Sequence, residues 1–205
     1  MTTVLIRWSF VLWWLLWLVW ARRTKPTLKR EGWGGLIAQR FLLVAGYGAI
    51  FVPAPPAPEI GRRGLGPWSG FLGLALCLLG LGFCVWARRA LGTNWSAVVT
   101  VKKGHELIRT GPYALARHPI YTGLLAATMG AALDADRIQA WVGCGLVAAS
   151  LFLKMAVEER LMLETFGAEY EAYAAEVGKI VPWSYGRRKF SKRRTVPGAG
   201  RRPGR

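Results

Sequence analysis

The densest polar chemistry in the chain is the run Thr110-Gly-Pro-Tyr-Ala-Leu-Ala-Arg-His-Pro-Ile-Tyr-Thr-Gly123, with a second polar pair, Glu158-Glu159, further on. Gly111-Pro112 is turn chemistry, and Pro119 suits the first position of a helix, where a missing N–H costs nothing. A helix that starts there presents unpaired backbone N–H groups and the positive end of its dipole. With Arg117 and His118 just ahead, the arrangement suits a carboxylate or a phosphate, for example the carboxylate of an amino acid. Each residue also has a plainer role when taken alone. Arg117 serves as a basic membrane anchor, His118 as a surface residue, Tyr113 and Tyr121 as interfacial aromatics, and the two glutamates as a solvated helix end.

What brings these groups together is a hairpin. Two apolar runs, about Ile120 to Leu133 and Ile138 to Val157, are joined by Asp134-Ala-Asp-Arg137, which predicts two antiparallel helices. Residues equally far from a tip near Ala135 lie at similar depth, so Arg117 stands opposite Leu153. Glu158 is then about one turn lower, or roughly 6 Å along the axis, within reach of Arg117 and Tyr121. The expected pocket is lined by Arg117, His118 and Tyr121 on one arm and by Glu158 and Glu159 on the other. The first arm is short for a full membrane crossing and calls for tilt, a thinner bilayer or a start below the membrane surface.

The rest of the chain explains the solvent. Of 205 residues 53% are hydrophobic, with 11 Trp and 25 Gly, and the apolar residues gather in blocks too long and too free of charge for ordinary core helices. Val4 to Trp20, with its tryptophans and no small-residue cleavage site, reads as a retained span rather than a leader. The next blocks are about Gly35 to Val52, ending at a Pro-rich linker from Pro53 to Pro58, and Trp68 to Ala87, which carries Gly70, Gly73, Gly80 and Gly82. Glycines at such spacings let neighbouring backbones approach closely. Cys77, Cys84 and Cys144 all fall inside apolar segments and read as small packing residues, without the partners of a zinc site.

The formal charge of +17 lies between the blocks and in the tail. Placing segments 21–34, 88–117 and 154–205 in the cytoplasm leaves the Pro-rich linker and the acidic hairpin tip outside, so five spans put the N-terminus out and the C-terminus in. Arg62 and Arg63 pull against that assignment. Arg160 to Val177 carries Leu163, Phe166, Tyr170, Tyr173 and Val177 on one stripe and predicts an amphipathic helix along the inner face. From Gly186 onward the tail has no acid and little to bury, which predicts a disordered segment attracted to anionic lipid. Nucleic-acid binding is excluded, because the aromatics lie inside the apolar blocks rather than among the basic residues. The fold class is all-α, a polytopic membrane helical bundle of about five transmembrane helices plus a C-terminal amphipathic cytoplasmic helix. It divides into three N-terminal spans (1–90), a module holding the polar residues (91–183) and a basic tail (184–205).

Gly111-Pro112-Tyr113, Arg117-His118-Pro119-Ile120-Tyr121 and Gly123, then Glu158-Glu159-Arg160-Leu161-Met162-Leu163, Phe166-Gly167, Tyr170, Tyr173 and Val181-Pro182, resemble the isoprenylcysteine carboxyl methyltransferase family. That family is related to the phospholipid N-methyltransferases. Upstream, Leu91 to Ser96 and Lys103-Gly104-His105-Glu106-Leu107 resemble its bacterial members. The resemblance covers about Leu91 to Pro182 and implies a membrane-embedded enzyme that uses S-adenosyl-L-methionine, in a bacterial inner membrane with its site toward the cytoplasm. The cofactor contacts it implies are His105, Leu107, Gly111, Tyr113, Arg117, His118, Pro119, Tyr121, Glu158, Glu159 and Tyr170.

On that reading Arg117 and the helix start bind the methionine carboxylate, a glutamate holds the ribose hydroxyls or amino group, and Tyr113, Tyr121 and Tyr170 pack on adenine. Arg117, His118, Glu158 and Glu159 form the catalytic set, and no metal is required. Asn94 and Trp95 are placed to select the acceptor. A carboxylate acceptor needs no general base; a phenol or an ammonium needs one, for which His105, His118 and Glu159 are candidates. The implied acceptor is a prenylated cysteine or a similar lipid. Phospholipid amines, phenolic lipids and thiols are the alternatives within the class, and a non-enzymatic scaffold with a lipid-binding tail is the alternative outside it.

Overall fold

The structure is a computed structural model that describes residues 1–21, 27–30, 33–52, 64–66, 68–92, 100–102 and 107–180. Six helices account for most of it: α1 (Thr2–Ala21), α2 (Trp33–Phe51), α3 (Trp68–Leu91), α4 (Pro119–Ala135), α5 (Ile138–Phe166) and α6 (Ala168–Glu176). The expected blocks all become helices, and the all-α bundle is the observed architecture. Among the described residues three helices, α1, α3 and α5, are long and apolar enough to cross a membrane. The apolar part of α2 described there is Ile37–Phe51, and α4 has 17 residues.

The burial pattern is that of a lipid-facing bundle. In α1 the buried residues Ile6, Phe10, Trp13 and Trp17 recur at helical spacing on one stripe. The opposite face shows Leu5, Trp8, Leu12, Leu15 and Val19 to the surroundings, all apolar and all exposed. A soluble helix would carry charge there.

Helix α4 is the hub, packing on α3, α5, α1 and α2. Its contact with α3 is backbone on backbone. A Cβ placed on Gly73 would stand 2.5 Å from the Gly130 carbonyl oxygen, and Gly80 faces Gly123 in the same way one level along. Cys77 and Cys84 continue that stripe, fully buried, as the small packing residues their positions imply. A second such seam joins α2 to α5, where a Cβ on Gly143 would meet the Gly46 carbonyl at 2.5 Å. In lipid, where water no longer drives apolar surfaces together, close backbone approach and interhelical hydrogen bonds hold helices in place. The bonds here include Ser150 Oγ donating to the Gln39 carbonyl at 2.8 Å and Gln39 Nε2 donating back to Ser150 Oγ at 3.2 Å.

One element has no counterpart in the sequence reading. Strand β1 (Thr27–Arg30) pairs antiparallel with β2 (Thr100–Lys102), with Lys29 opposite Val101 and Arg30 opposite Thr100. Segments this short carry too few residues for an alternating pattern to register. The ribbon sets Thr27–Arg30 beside Thr100–Lys102.

The C-terminal helix differs from expectation. A single amphipathic helix from Arg160 to Val177 does not form; α5 runs on through Phe166, Gly167 turns the chain with φ of +52°, and a separate short α6 follows. The predicted stripe is divided accordingly. Leu163 on the α5 extension is exposed, whereas Tyr170 and Tyr173 on α6 are buried. The Pro-rich linker, Arg62 and Arg63, and the basic tail lie outside the described residues.

Candidate active site

The polar residues converge at the end of the α4–α5 hairpin opposite its Asp134–Arg137 tip. Gly111 takes the left-handed conformation, φ +61°, that lets Pro112 open a 3-10 turn over Gly111–Ala114. The chain then straightens through Arg117 and His118, and Pro119 begins α4 as expected. Glu158 and Glu159 project from α5 at the matching depth.

The two arms meet at the expected end, but Arg117 takes Glu159 rather than Glu158. Tyr121 donates its hydroxyl to Glu158 in a short hydrogen bond. Arg117 meets Glu159 through Nε at 3.0 Å and Nη2 at 2.7 Å. His118 lies between the two carboxylates, with Nδ1 at 3.5 Å from Glu158 and Nε2 at 3.4 Å from Glu159, and stacks on Tyr121 at 5.5 Å between ring centres. The imidazole is buried. Burial alone would lower its pKa, but the hydrogen bonds and charges of the two glutamates outweigh that and hold it above the ordinary value. When protonated, His118 can donate from both nitrogens, one toward each glutamate.

Two features revise the expected site. The first is a strap, residues 177–180, laid across the start of α4. The backbone N–H of Arg117 donates to the Gly178 carbonyl and that of His118 to the Lys179 carbonyl, each at 2.9 Å. Thr122 donates its hydroxyl to the Ile180 carbonyl. The strap's carbonyl oxygens thus meet the N–H groups of the two residues just ahead of α4, where their partial negative charge suits the helix dipole. The second is the occupancy of Arg117. Besides Glu159 it donates through Nη1 to the carbonyls of Ala174 at 2.8 Å and Val177 at 2.5 Å. Tyr170 is a further partner. Its guanidinium fastens the α6 end to the hairpin rather than standing open to a carboxylate.

Lys179 completes the cluster, its ammonium 2.8 Å from Glu159. The sequence reading missed it along with Thr122; the signal was a basic residue between Val177 and Pro182, where the amphipathic pattern ends. The aromatic residues expected to pack on adenine already contact other side chains of the protein. Tyr121 already has His118 on its ring, and Tyr170 packs edge-on against Tyr173 at 6.1 Å. Tyr173 donates to the Tyr113 carbonyl at 2.6 Å, and burial pushes its phenol up to about 12. Burial likewise raises Tyr113 and Tyr170, so all three remain protonated donors near neutrality. Leu107 is half-buried on the approach to the turn. Asn94, Trp95 and His105 lie outside the described residues.

A bundle of apolar helices with an ion-paired cluster at one rim defines an integral-membrane protein with a polar site at its helix ends. The Phospholipid methyltransferase family model matches residues 68–169, from the start of α3 into α6. The chain is 29% identical over 123 residues to the protein-S-isoprenylcysteine O-methyltransferase of Tribolium castaneum, covering 58% of this chain and 43% of that protein. It is 33% identical over 115 residues to the Saccharomyces cerevisiae protein of the same name, covering 55% and 48%. A shorter match, 32% over 72 residues, is to methanethiol S-methyltransferase 1 of Bradyrhizobium diazoefficiens, with 35% and 24% covered. The chain spans about half the length of the isoprenylcysteine relatives. These matches place residues 68–169 among the phospholipid methyltransferases and show the chain to be similar to the protein-S-isoprenylcysteine O-methyltransferases.

Proposed function

We propose that the chain is an integral-membrane methyltransferase that uses S-adenosyl-L-methionine and acts on a lipidic acceptor, first among them the carboxylate of a prenylated cysteine or a similar isoprenoid. The observation that carries this reading is the joining of the Arg-His-Pro-x-Tyr and Glu-Glu segments into one buried cluster at the rim of the α4–α5 hairpin. The residues suit the cofactor. Glu158, bonded to Tyr121 through Oε1 and facing His118 through Oε2, keeps a further lone pair on each oxygen for an ammonium group or ribose hydroxyls, and the buried aromatics Tyr113 and Tyr170 belong to the same polar region. When bound, S-adenosyl-L-methionine supplies a methyl group activated by its sulfonium. The chain's own task is then to hold donor and acceptor near attack distance and to exclude water. Arg117 takes a positioning role, holding the α6 end over the site, in place of direct contact with the methionine carboxylate.

The basic segments on one side of the bundle favour a cytoplasmic site in a bilayer of the bacterial inner-membrane type. Five spans follow if α2 and α4 also cross. At 1.5 Å per residue, α4 reaches about 26 Å, which requires a bilayer slightly thinner than usual at the site. Asn94 and Trp95, directly after α3, are proposed to select the acceptor, and the tail from Gly186 to hold anionic lipid. A thiol acceptor is the second reading, favoured by the match to the methanethiol enzyme.

The test is calorimetric binding of S-adenosyl-L-methionine to purified chain in nanodiscs, followed by transfer of its labelled methyl group into a lipid extract of the host. Binding that is lost in Glu158→Gln and Tyr121→Phe, together with a labelled lipid, is the expected result. Absence of binding by the wild type would sink the enzyme reading. Release of labelled methanol in mild alkali separates an ester from an ether, thioether or amine.

A further inference from the structure

Glu159 takes its partners on two different oxygens. Oε1 accepts from Arg117 through Nε and Nη2 and lies 3.4 Å from His118 Nε2. Oε2 meets the ammonium of Lys179 at 2.8 Å. The two sides differ in how firmly they are held. The side chains of Arg117 and His118 are 9% and 7% exposed, and Arg117 is fastened further to the carbonyls of Ala174 and Val177. The Lys179 side chain is 50% exposed.

The backbone around Lys179 is fixed independently of its side chain. The carbonyls of Gly178 and Lys179 accept the N–H groups of Arg117 and His118, and that of Ile180 accepts the Thr122 hydroxyl. Rotation about the Lys179 side-chain bonds therefore carries its ammonium from Glu159 into water while the strap stays in place. That swing costs little, because an ion pair with one partner half in water contributes little to stability. Glu159 keeps Arg117 on Oε1 throughout, so no buried charge is stranded. Once Lys179 has swung away, the group that best fits Oε2 is another ammonium, which restores the charge-assisted bond and the local charge balance one for one. The amino-acid end of S-adenosyl-L-methionine carries such a group. A ligand that lacks one cannot make the exchange and leaves Lys179 where it is.

We infer that Lys179 is an internal substitute for a ligand's ammonium group: it covers Glu159 Oε2 until an amino-acid-bearing ligand takes that oxygen, and is then displaced into water. This rests on the methyltransferase reading above and gives Glu159 a ligand contact beside that of Glu158. Lys179 keeps the cluster's charge balanced before ligand arrives, and by competing for the same oxygen it weakens the binding of every ligand that brings its own ammonium.

The probes are S-adenosyl-L-homocysteine, which has the amino-acid group and no methyl to transfer, and 5′-methylthioadenosine, which shares the adenosine and thioether but lacks the amino acid. Calorimetry in phosphatidylcholine nanodiscs compares the full chain as wild type and as Lys179→Met. S-adenosyl-L-homocysteine is expected to bind Lys179→Met about three- to fivefold more tightly than wild type, the gain from removing a part-exposed ion-pair competitor. Methylthioadenosine should bind both proteins alike. A second measurement uses the wild type alone: acylation of amines, read by mass spectrometry against Lys189 and Lys192 of the tail. Saturation with S-adenosyl-L-homocysteine should make Lys179 severalfold more reactive, and methylthioadenosine should leave it unchanged. A lysine that contacts ligand, or only fastens the strap, gains no reactivity on binding. Equal or weaker binding of S-adenosyl-L-homocysteine by Lys179→Met, or a Lys179 that the ligand protects or leaves unchanged, overturns the inference. If S-adenosyl-L-homocysteine still binds the wild type in that case, the methyltransferase reading stands and only the role of Lys179 falls. Binding of neither compound refutes both.

Discussion

Replacing Arg117 by alanine asks whether this residue is a clamp or a ligand contact. Its side chain is only 9% exposed and donates twice to Glu159 and once each to the carbonyls of Ala174 and Val177. Alanine strands both carbonyls, at about 1 kcal/mol each, and weakens the hold on Glu159 by about 1–2 kcal/mol. Glu159 retains Lys179 at 2.8 Å, so its share stays small. The sum is about 3–4 kcal/mol, near the lower end for breaking a buried ion pair. Set against opening of the strap, that raises the open fraction by more than about 100-fold. Amide hydrogen exchange in nanodiscs measures it: residues 168–180 should lose protection by about that factor, while the glycine-packed part of α3 is unchanged. Arg117→Lys keeps a charge for Glu159 but not the fork that also reaches the two carbonyls, and should fall in between, near tenfold. If strap amides exchanged as in the wild type while S-adenosyl-L-methionine binding vanished, Arg117 would be a ligand contact and the clamp argument would fail.

Four further outcomes are expected. Because the glutamates hold the His118 pKa above its ordinary value, its stabilisation is complete below about pH 6.5 and is lost as pH rises through the raised folded value; melting temperatures from pH 6 to 9 should fall, and His118→Gln should flatten that slope. Gly73→Val should fail to yield a folded bundle in detergent, since even its Cβ meets the Gly130 carbonyl. Gly82→Ala, where no atom lies within 4 Å, should melt no lower than wild type, with up to about 1 kcal/mol gained from helix propensity. Tyr173→Phe leaves the buried Tyr113 carbonyl without its partner and should cost about 1–2 kcal/mol in chemical denaturation.

The helices were legible because lipid demands long charge-free blocks, and the hairpin partners because antiparallel helices share a register. Counting outward from the tip brings Arg117 and Tyr121 into reach of the Glu158 end of α5; the Tyr121–Glu158 bond was within that reading, whereas the choice of Glu159 by Arg117 was not. The strap was not legible. Its hold on α4 consists of backbone carbonyls of Gly178, Lys179 and Ile180, and a carbonyl leaves no trace in residue identity. Arg117 reads from sequence as an open anion site because the carbonyls of Ala174 and Val177 that engage its guanidinium are equally invisible there. The break at Gly167 was visible as a glycine, but the apolar stripe on either side ran through it in phase and hid the turn. The β1–β2 ribbon is a long-range pairing between segments with no pattern of their own.

The two glycine seams divide the bundle mechanically. Helix α3 is locked to α4 through Gly73, Gly80, Gly123 and Gly130, and α2 to α5 through Gly46 and Gly143. Each pair behaves as a stiff plate, because sliding either helix would drive backbone into backbone. The hinge line between the plates is the α4–α5 interface, closed at one end by the Asp134–Arg137 turn and at the other by the polar cluster. Any splaying of the plates therefore loads the Arg117–Glu159 and Tyr121–Glu158 pairs directly, so the groups proposed to bind ligands are also the latch of the gap between them.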